Sequence, residues 1–188
     1  VIKTPEGSRL TVQQDQIVQS AIQTLLAFGT DVELELVEAQ KHVTDENLAL
    51  ISEVVSSYST HFPAAQENRN ANLKVAAAKL NGTVLLPGER VSFNNIVGKR
   101  TVEAGFREAG VYLNGRHDKG IGGGICQVSS TFYNAALFAD LGVIQRTNHS
   151  MPVAYLPVGR DATVNYGSLD LVIENTMPTP VAISSSFE

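Results

Sequence analysis

With a single cysteine, Cys126, in 188 residues, the chain has no internal disulfide available to it. That composition suits either the cytosol or a bacterial surface protein that keeps one thiol for chemistry. No basic run is present and the formal net charge is −5, which argues against recognition of a phosphate backbone and so against nucleic acid as partner. No stretch approaches the roughly 18 consecutive apolar residues of a membrane span, and no signal peptide is visible. Because the sequence opens at Val1, it is expected to continue upstream, where a membrane anchor could lie. The four histidines are dispersed, without a pair at helical spacing, so neither a structural metal site nor any cofactor is expected. The glycine run also lacks the third glycine of a dinucleotide fingerprint, and the Arg116-His117-Asp118-Lys119 ahead of it does not read as a buried strand.

What the chain does have is Gly120-Ile121-Gly122-Gly123-Gly124-Ile125-Cys126-Gln127, which sets that one cysteine between a glycine-rich loop and a predicted helix start. Amide groups at a helix N-terminus lack intrahelical partners and the helix dipole adds positive character, so both favour an ionised sulfur. A free cysteine is equally at home as a small buried hydrophobe. The glycines favour the first reading, since Gly122, Gly123 and Gly124 permit positive φ and let backbone approach a ligand closely.

Hydrophobic residues make up 43% of the chain, enough for one good core with a smaller second unit. Apolar spacing predicts helices over 11–28, 44–57, 68–80 and 127–141, the last capped by Gly142. Strands are predicted over 32–36, at Val84 to Leu86 and Val91 to Phe93 as strand-turn-strand, and over 143–149, 162–166, 169–174 and 181–184. Asn114-Gly115 signals a hairpin and 58–66 a connector. The expected fold is α+β, with helices packed on a mainly antiparallel sheet and the cysteine-bearing helix following the glycine loop.

Leu80-Asn81-Gly82-Thr83-Val84-Leu85-Leu86-Pro87-Gly88-Glu89, Phe93-Asn94, the run Gly120 to Tyr133, His149-Ser150-Met151-Pro152-Val153 and Gly159-Arg160-Asp161-Ala162-Thr163-Val164 together resemble a VanW domain, from about Tyr58 to the C-terminus. Residues 1–50 resemble the end of the peptidoglycan-binding domain that often precedes it. The implied organisation is a partial peptidoglycan-binding segment over 1–57 and a VanW domain over 58–188. The resemblance implies an extracytoplasmic, wall-facing protein whose partners are peptidoglycan stem peptides. It further implies a cysteine L,D-transpeptidase, in which Cys126 attacks the amide before a terminal D-alanine and an acceptor amine resolves the thioester. The alternative is a non-catalytic peptidoglycan-binding or resistance-accessory module.

Acyl transfer from a thiol needs a base, an orienting partner and an oxyanion hole. His149, within a matching motif, is the first candidate for the base in a papain-like arrangement of roles, and His117 the second. Asp161 either fixes the imidazole tautomer or belongs to a solvated turn. Arg160 either binds a substrate carboxylate through its planar fork or lies on the surface. Gln127 and the Cys126 amide could polarise the scissile carbonyl, though a first-turn glutamine also caps locally. Ser129, with Ser130 and Thr131, either bonds substrate or packs the helix against the sheet.

Overall fold

In a computed structural model the described residues are 10–11, 37–38, 43–113 and 116–188, with nothing said of the side chains of 112–117. The chain divides into two compact units, Val1–Thr44 and Asp45–Glu188. In the first, β1 (Leu10–Thr11) pairs antiparallel with β2 (Val37–Glu38). Thr11, expected to open a helix, is therefore in a strand; the rest of that helix and the strand over 32–36 lie outside the described residues, as does most of the segment likened to a peptidoglycan-binding domain.

The second unit is α+β. It opens with α1 (Asp45–Ala49), which ends well short of the helix expected to reach residue 57. Beyond it the chain runs extended, held against a later helix: Ser56 Oγ donates to Ala135 O at 2.6 Å, Thr60 Oγ1 meets Thr131 Oγ1 at 2.8 Å, and the Tyr58 ring packs on Phe138 at 5.7 Å between centroids. Those contacts recur along an extended segment, and the β-branched Ile51, Val54 and Val55 add little helix propensity. Of the stripe Leu48, Ile51, Val54 and Val55 that the helical spacing predicts to be buried, Ile51 is half-buried and the other three are exposed.

Helix α2 (Glu67–Leu80) matches expectation and buries Leu73, Ala76, Ala77 and Leu80. The strands β3 (Thr83–Leu85) and β4 (Arg90–Ser92) that follow do not pair with each other. Instead β3 pairs with the last strand β9 (Val181–Ile183), and β4 joins β8 (Val172–Glu174) and β7 (Gly142–Gln145) in the order β4-β8-β7, every pairing antiparallel. Gly88 N donates to Asn175 O and Asn175 N donates to Glu89 O, each at 2.8 Å, and these bonds divert the chain from a hairpin. A short α3 (Phe93–Val97) is capped by Ser92, whose Oγ accepts from Asn95 N at 3.0 Å.

β5 (Glu108–Leu113) and β6 (Arg116–Ile121) form the expected hairpin, so Arg116 to Lys119 are in a strand, with Asp118 and Lys119 exposed. Helix α4 (Ile125–Phe138) then begins two residues earlier than expected and ends on Ala139. The left-handed residue after it is Asp140, φ 55°, and Gly142 is in β7 rather than the cap. The expected strand over 162–166 is an extended segment bearing one bridge, Asn165 to Leu169, and β7 stops at Gln145, leaving His149 in a loop.

The core gathers Leu80, Phe93, Val97, Ile125, Phe132 and Ile173 from α2, α3, α4 and β8, with Phe106 and Leu171 from the segments leading into β5 and β8. One buried polar residue ties α2 to the glycine loop. Asn72, with no exposure, donates to Arg107 O at 2.9 Å and Gly123 O at 3.0 Å, and accepts from Arg107 N at 2.7 Å. Asn72→Ala is expected to cost about 3 kcal/mol, since it strands a buried amide and carbonyls without partners. A denaturant midpoint within error of wild type would show that the loop does not depend on it.

Candidate active site

The residues from Gly122 to Gly124 are shaped by what packs on them. Gly123 is buried, and a Cβ there would fall 2.5 Å from Gly110 O on β5. A Cβ on Gly124, φ +100°, would fall 2.7 Å from Arg69 Cγ, and one on Gly122 would fall 2.8 Å from Arg100 Cγ. The sequence reading had these three glycines yielding to a ligand. In the structure they yield to β5 backbone and to the stems of two arginines.

Gly124 caps α4 without a side chain, so the first turn, which holds Cys126, has no side-chain cap on its amides. The polar face of α4 is stitched to the extended segment 160–164. Ser129 Oγ donates to Ala162 O at 2.6 Å, Ser130 Oγ donates to Cys126 O at 2.6 Å and accepts from Ala162 N at 2.8 Å, and Asn134 Nδ2 donates to Arg160 O at 2.7 Å. This register sets Cys126 Sγ beside Val164, whose N–H and C=O both lie at 3.5 Å, and beside Thr163 Oγ1 at 3.6 Å. Ser129, a candidate for substrate contact, has no exposure and is instead a fastening of the helix to the strand.

The same segment carries Asp161, which is buried. Its Oδ2 accepts from His149 N at 2.6 Å and lies 2.6 Å from His149 Nδ1, while Arg146 Nη2 reaches Oδ1 at 3.3 Å and Arg146 Nε donates to Asp161 O at 2.7 Å. With Nδ1 spent on the carboxylate, Nε2 is the ring nitrogen left to act on the Cys126 thiol, with which the imidazole is electrostatically coupled. Histidine and aspartate are thus hydrogen-bonded to each other, and the cysteine is coupled to the histidine electrostatically.

Electrostatics follow from that grouping. Burial pushes the Cys126 thiol up, but the hydrogen bond and charge of His149, with the bonds from Val164 and Thr163, outweigh it and leave the thiol below its ordinary value. Burial pulls the His149 imidazole down, yet its bonds to Cys126 and Asp161 hold it above the usual histidine value. Burial pushes Asp161 up, and the backbone and ring bonds from His149 hold it below the ordinary carboxylate range. All three shifts favour thiolate, imidazolium and carboxylate together.

Between the first turns of α2 and α4 opens a cleft of about 1160 Å³, lined by Phe62, Arg69, Gly110, Gln127, Pro152 and Tyr155 among others. Burial, and the nearby thiol, keep the Tyr155 phenol protonated far above its ordinary value. Gln127 forms part of the wall but its side chain is fully engaged: Oε1 accepts from Arg69 Nη2 at 2.6 Å, and Nε2 donates to Thr60 Oγ1 at 3.0 Å and His61 O at 2.9 Å. It holds Arg69 rather than facing a carbonyl. Arg160 points elsewhere, with Nε on Asn134 Oδ1 at 2.6 Å and its guanidinium 4.6 Å over the Phe138 ring. Asn134 is about 12 Å along the helix axis from Cys126, which removes Arg160 from the thiol's surroundings. The side chain of His117 lies outside the described residues.

Arg69, Arg146 and Tyr155 were missed by the sequence reading. Arg146 and Tyr155 flank the His149 motif, and that proximity was a usable signal; Arg69 sits in the first turn of an ordinary-looking helix and gave none.

The fold and the site define an α+β domain in which a cysteine at a helix N-terminus is coupled to a hydrogen-bonded His–Asp pair, near an open cleft. Residues 68–188 match the family described as VanW like protein, and the chain belongs to that family. It is 40% identical over 142 residues to the uncharacterized protein YoaR of Bacillus subtilis, covering 75% of this chain and 47% of that protein. It is 35% identical over 115 residues to the vancomycin B-type resistance protein VanW of Enterococcus faecalis, covering 58% of this chain and 42% of that protein. The chain thus spans less than half the length of these relatives. No solved structure matches it.

Proposed function

We propose that this domain is a cysteine acyl-transfer enzyme acting on peptidoglycan stem peptides, in the manner of an L,D-transpeptidase. The observation that supports it most is the grouping of Cys126, His149 and Asp161, in which Asp161 holds the imidazole and each group favours the charged form of the next. The thiolate attacks the amide carbonyl before the terminal D-alanine, and the oxygen gains charge beside the Cys126 amide. The C–N bond breaks as His149 gives its proton to the leaving amine, forming a thioester. A side-chain amine of an acceptor stem then attacks the thioester carbonyl and loses its proton to His149, the C–S bond breaks, and the thiolate returns. Asp161 keeps the imidazole oriented throughout. A cell-wall substrate places the protein outside the cytoplasm; among the described residues no helix is long and apolar enough to cross a membrane.

A second reading is a binding module without turnover, and one observation favours it: Cys126 is not among the residues lining the cleft, although its neighbour Gln127 is. Incubation with tetrapeptide-containing muropeptides separates the two. Acyl transfer gives released D-alanine and cross-linked dimers that vanish in Cys126→Ala, whereas binding that survives Cys126→Ala with no product in wild type identifies the module.

A further inference from the structure

We propose that Arg69 is the carboxylate anchor of the cleft beside Cys126, selecting a peptide that ends in a free carboxylate. The proposal rests on the acyl-transfer reading of the site. Arg69 lines the cleft from the first turn of α2. Its Nη2 is held by Gln127 at 2.6 Å, and Gln127 is itself fixed by Thr60 and His61, so the guanidinium is oriented before any ligand arrives. Its Nη1 is buried with no hydrogen-bond partner. The ion pairs found among the described residues join Arg90 to Glu174, and Arg146 and His149 to Asp161; none includes Arg69.

A half-buried guanidinium with no ion-pair partner among the described residues carries a desolvation cost that a nearby anion relieves through its charge, Nη1 itself being buried. Burial accordingly draws Arg69 below its ordinary value, with Tyr155 and Cys126 acting against the shift. Gly124 leaves room for the stem of this side chain, and Gln127, its partner, directly follows Cys126. Arg69 and Cys126 are within electrostatic reach of each other, so a carboxylate held by Arg69 is expected to bring the amide of the last residue, rather than an internal one, toward the nucleophile. Arg100 does not line the cleft: its Nη1 is spent on Gly98 O and its guanidinium lies over the Phe93 and Tyr166 rings.

The test compares alkylation of Cys126 by iodoacetate and by neutral iodoacetamide in the full chain, where it is the one cysteine. Both reagents meet the same thiolate, so the ratio of their rates is insensitive to a change in thiol ionisation. That ratio is expected to fall about tenfold in Arg69→Gln, the loss of one charge-assisted contact, with Arg69→Lys between the two. A second measurement needs no variant: N-acetyl-D-alanine is expected to slow iodoacetamide alkylation of wild type, and N-acetyl-D-alaninamide to leave it unchanged. An unchanged ratio in Arg69→Gln, with equal effects of the two alanine probes, overturns the anchor while leaving the nucleophile intact. A Cys126 that reacts with neither reagent overturns the acyl-transfer reading and the anchor with it.

Discussion

Replacing His149 by alanine is expected to raise the apparent pKa of Cys126 from below the ordinary thiol value to above it. Burial at this position opposes ionisation, and the interactions with His149 lead the opposing forces. With the imidazole gone, only burial and the weaker bonds from Val164 and Thr163 remain. A thiol at or above about 8.5 is only a few per cent thiolate at neutral pH, so alkylation there should slow by roughly tenfold or more. Asp161→Asn should move the profile the same way by less, since it removes the charge that favours imidazolium but leaves a partner for Nδ1.

The pH window follows from the two directions. The ion pair is complete between the lowered thiol value and the raised imidazole value; acyl transfer, which needs both charges, should decline outside it, whereas alkylation, which needs the thiolate alone, should decline only below it. The thiolate's contribution to stability is present above the unfolded thiol value and is lost as pH falls through the folded one. The imidazolium's contribution is present below the unfolded histidine value and is lost as pH rises through the folded one. Superimposable alkylation profiles for wild type and His149→Ala would mean that the imidazole does not act on the sulfur.

Gly123→Ala is expected to have the largest effect on folding of any substitution in the glycine loop. Its Cβ would lie 2.5 Å from Gly110 O and 2.7 Å from Ala109 O, both backbone atoms of β5 that cannot rotate away. Relief requires parting β5 from the loop, which also disturbs the Asn72 bond to Gly123 O, at a cost of about 3 kcal/mol or more. Gly159→Ala is the contrast, because that residue has φ +84° with nothing within 4 Å, so only left-handed strain of about 1 kcal/mol is added. Urea midpoints distinguish the two; equal shifts would show that loop packing is not what Gly123 serves.

What was legible in the sequence is what local spacing encodes. Helix α2, helix α4 and the β5-β6 hairpin follow from apolar periodicity and an Asn-Gly turn, and the strand that became β8 from apolar alternation. What local spacing cannot encode is the partner. The β3 and β4 strands look like a hairpin until β9 and β8 arrive from far along the chain, and 50–57 looks helical until Ser56, with Tyr58 and Thr60 of the connector, meets α4.

The site divides in the same way. Cys126, His149 and Asp161 were singled out from the sequence because motifs carried them, and the structure brings them together. The surrounding assignments depended on direction, which sequence does not give: Arg160 turns to Asn134 and Phe138, Ser129 turns to Ala162, and the charge facing the cleft comes from Arg69, on a helix with no distinguishing pattern.

The central claim is covalent, so the most direct measurement is the intact mass of the protein after brief incubation with a stem tetrapeptide and no acceptor amine. A mass gain equal to the peptide less its terminal D-alanine, located on Cys126 and discharged by hydroxylamine, is the predicted result. An unmodified protein, under conditions where the tetrapeptide is shown to bind, would contradict it.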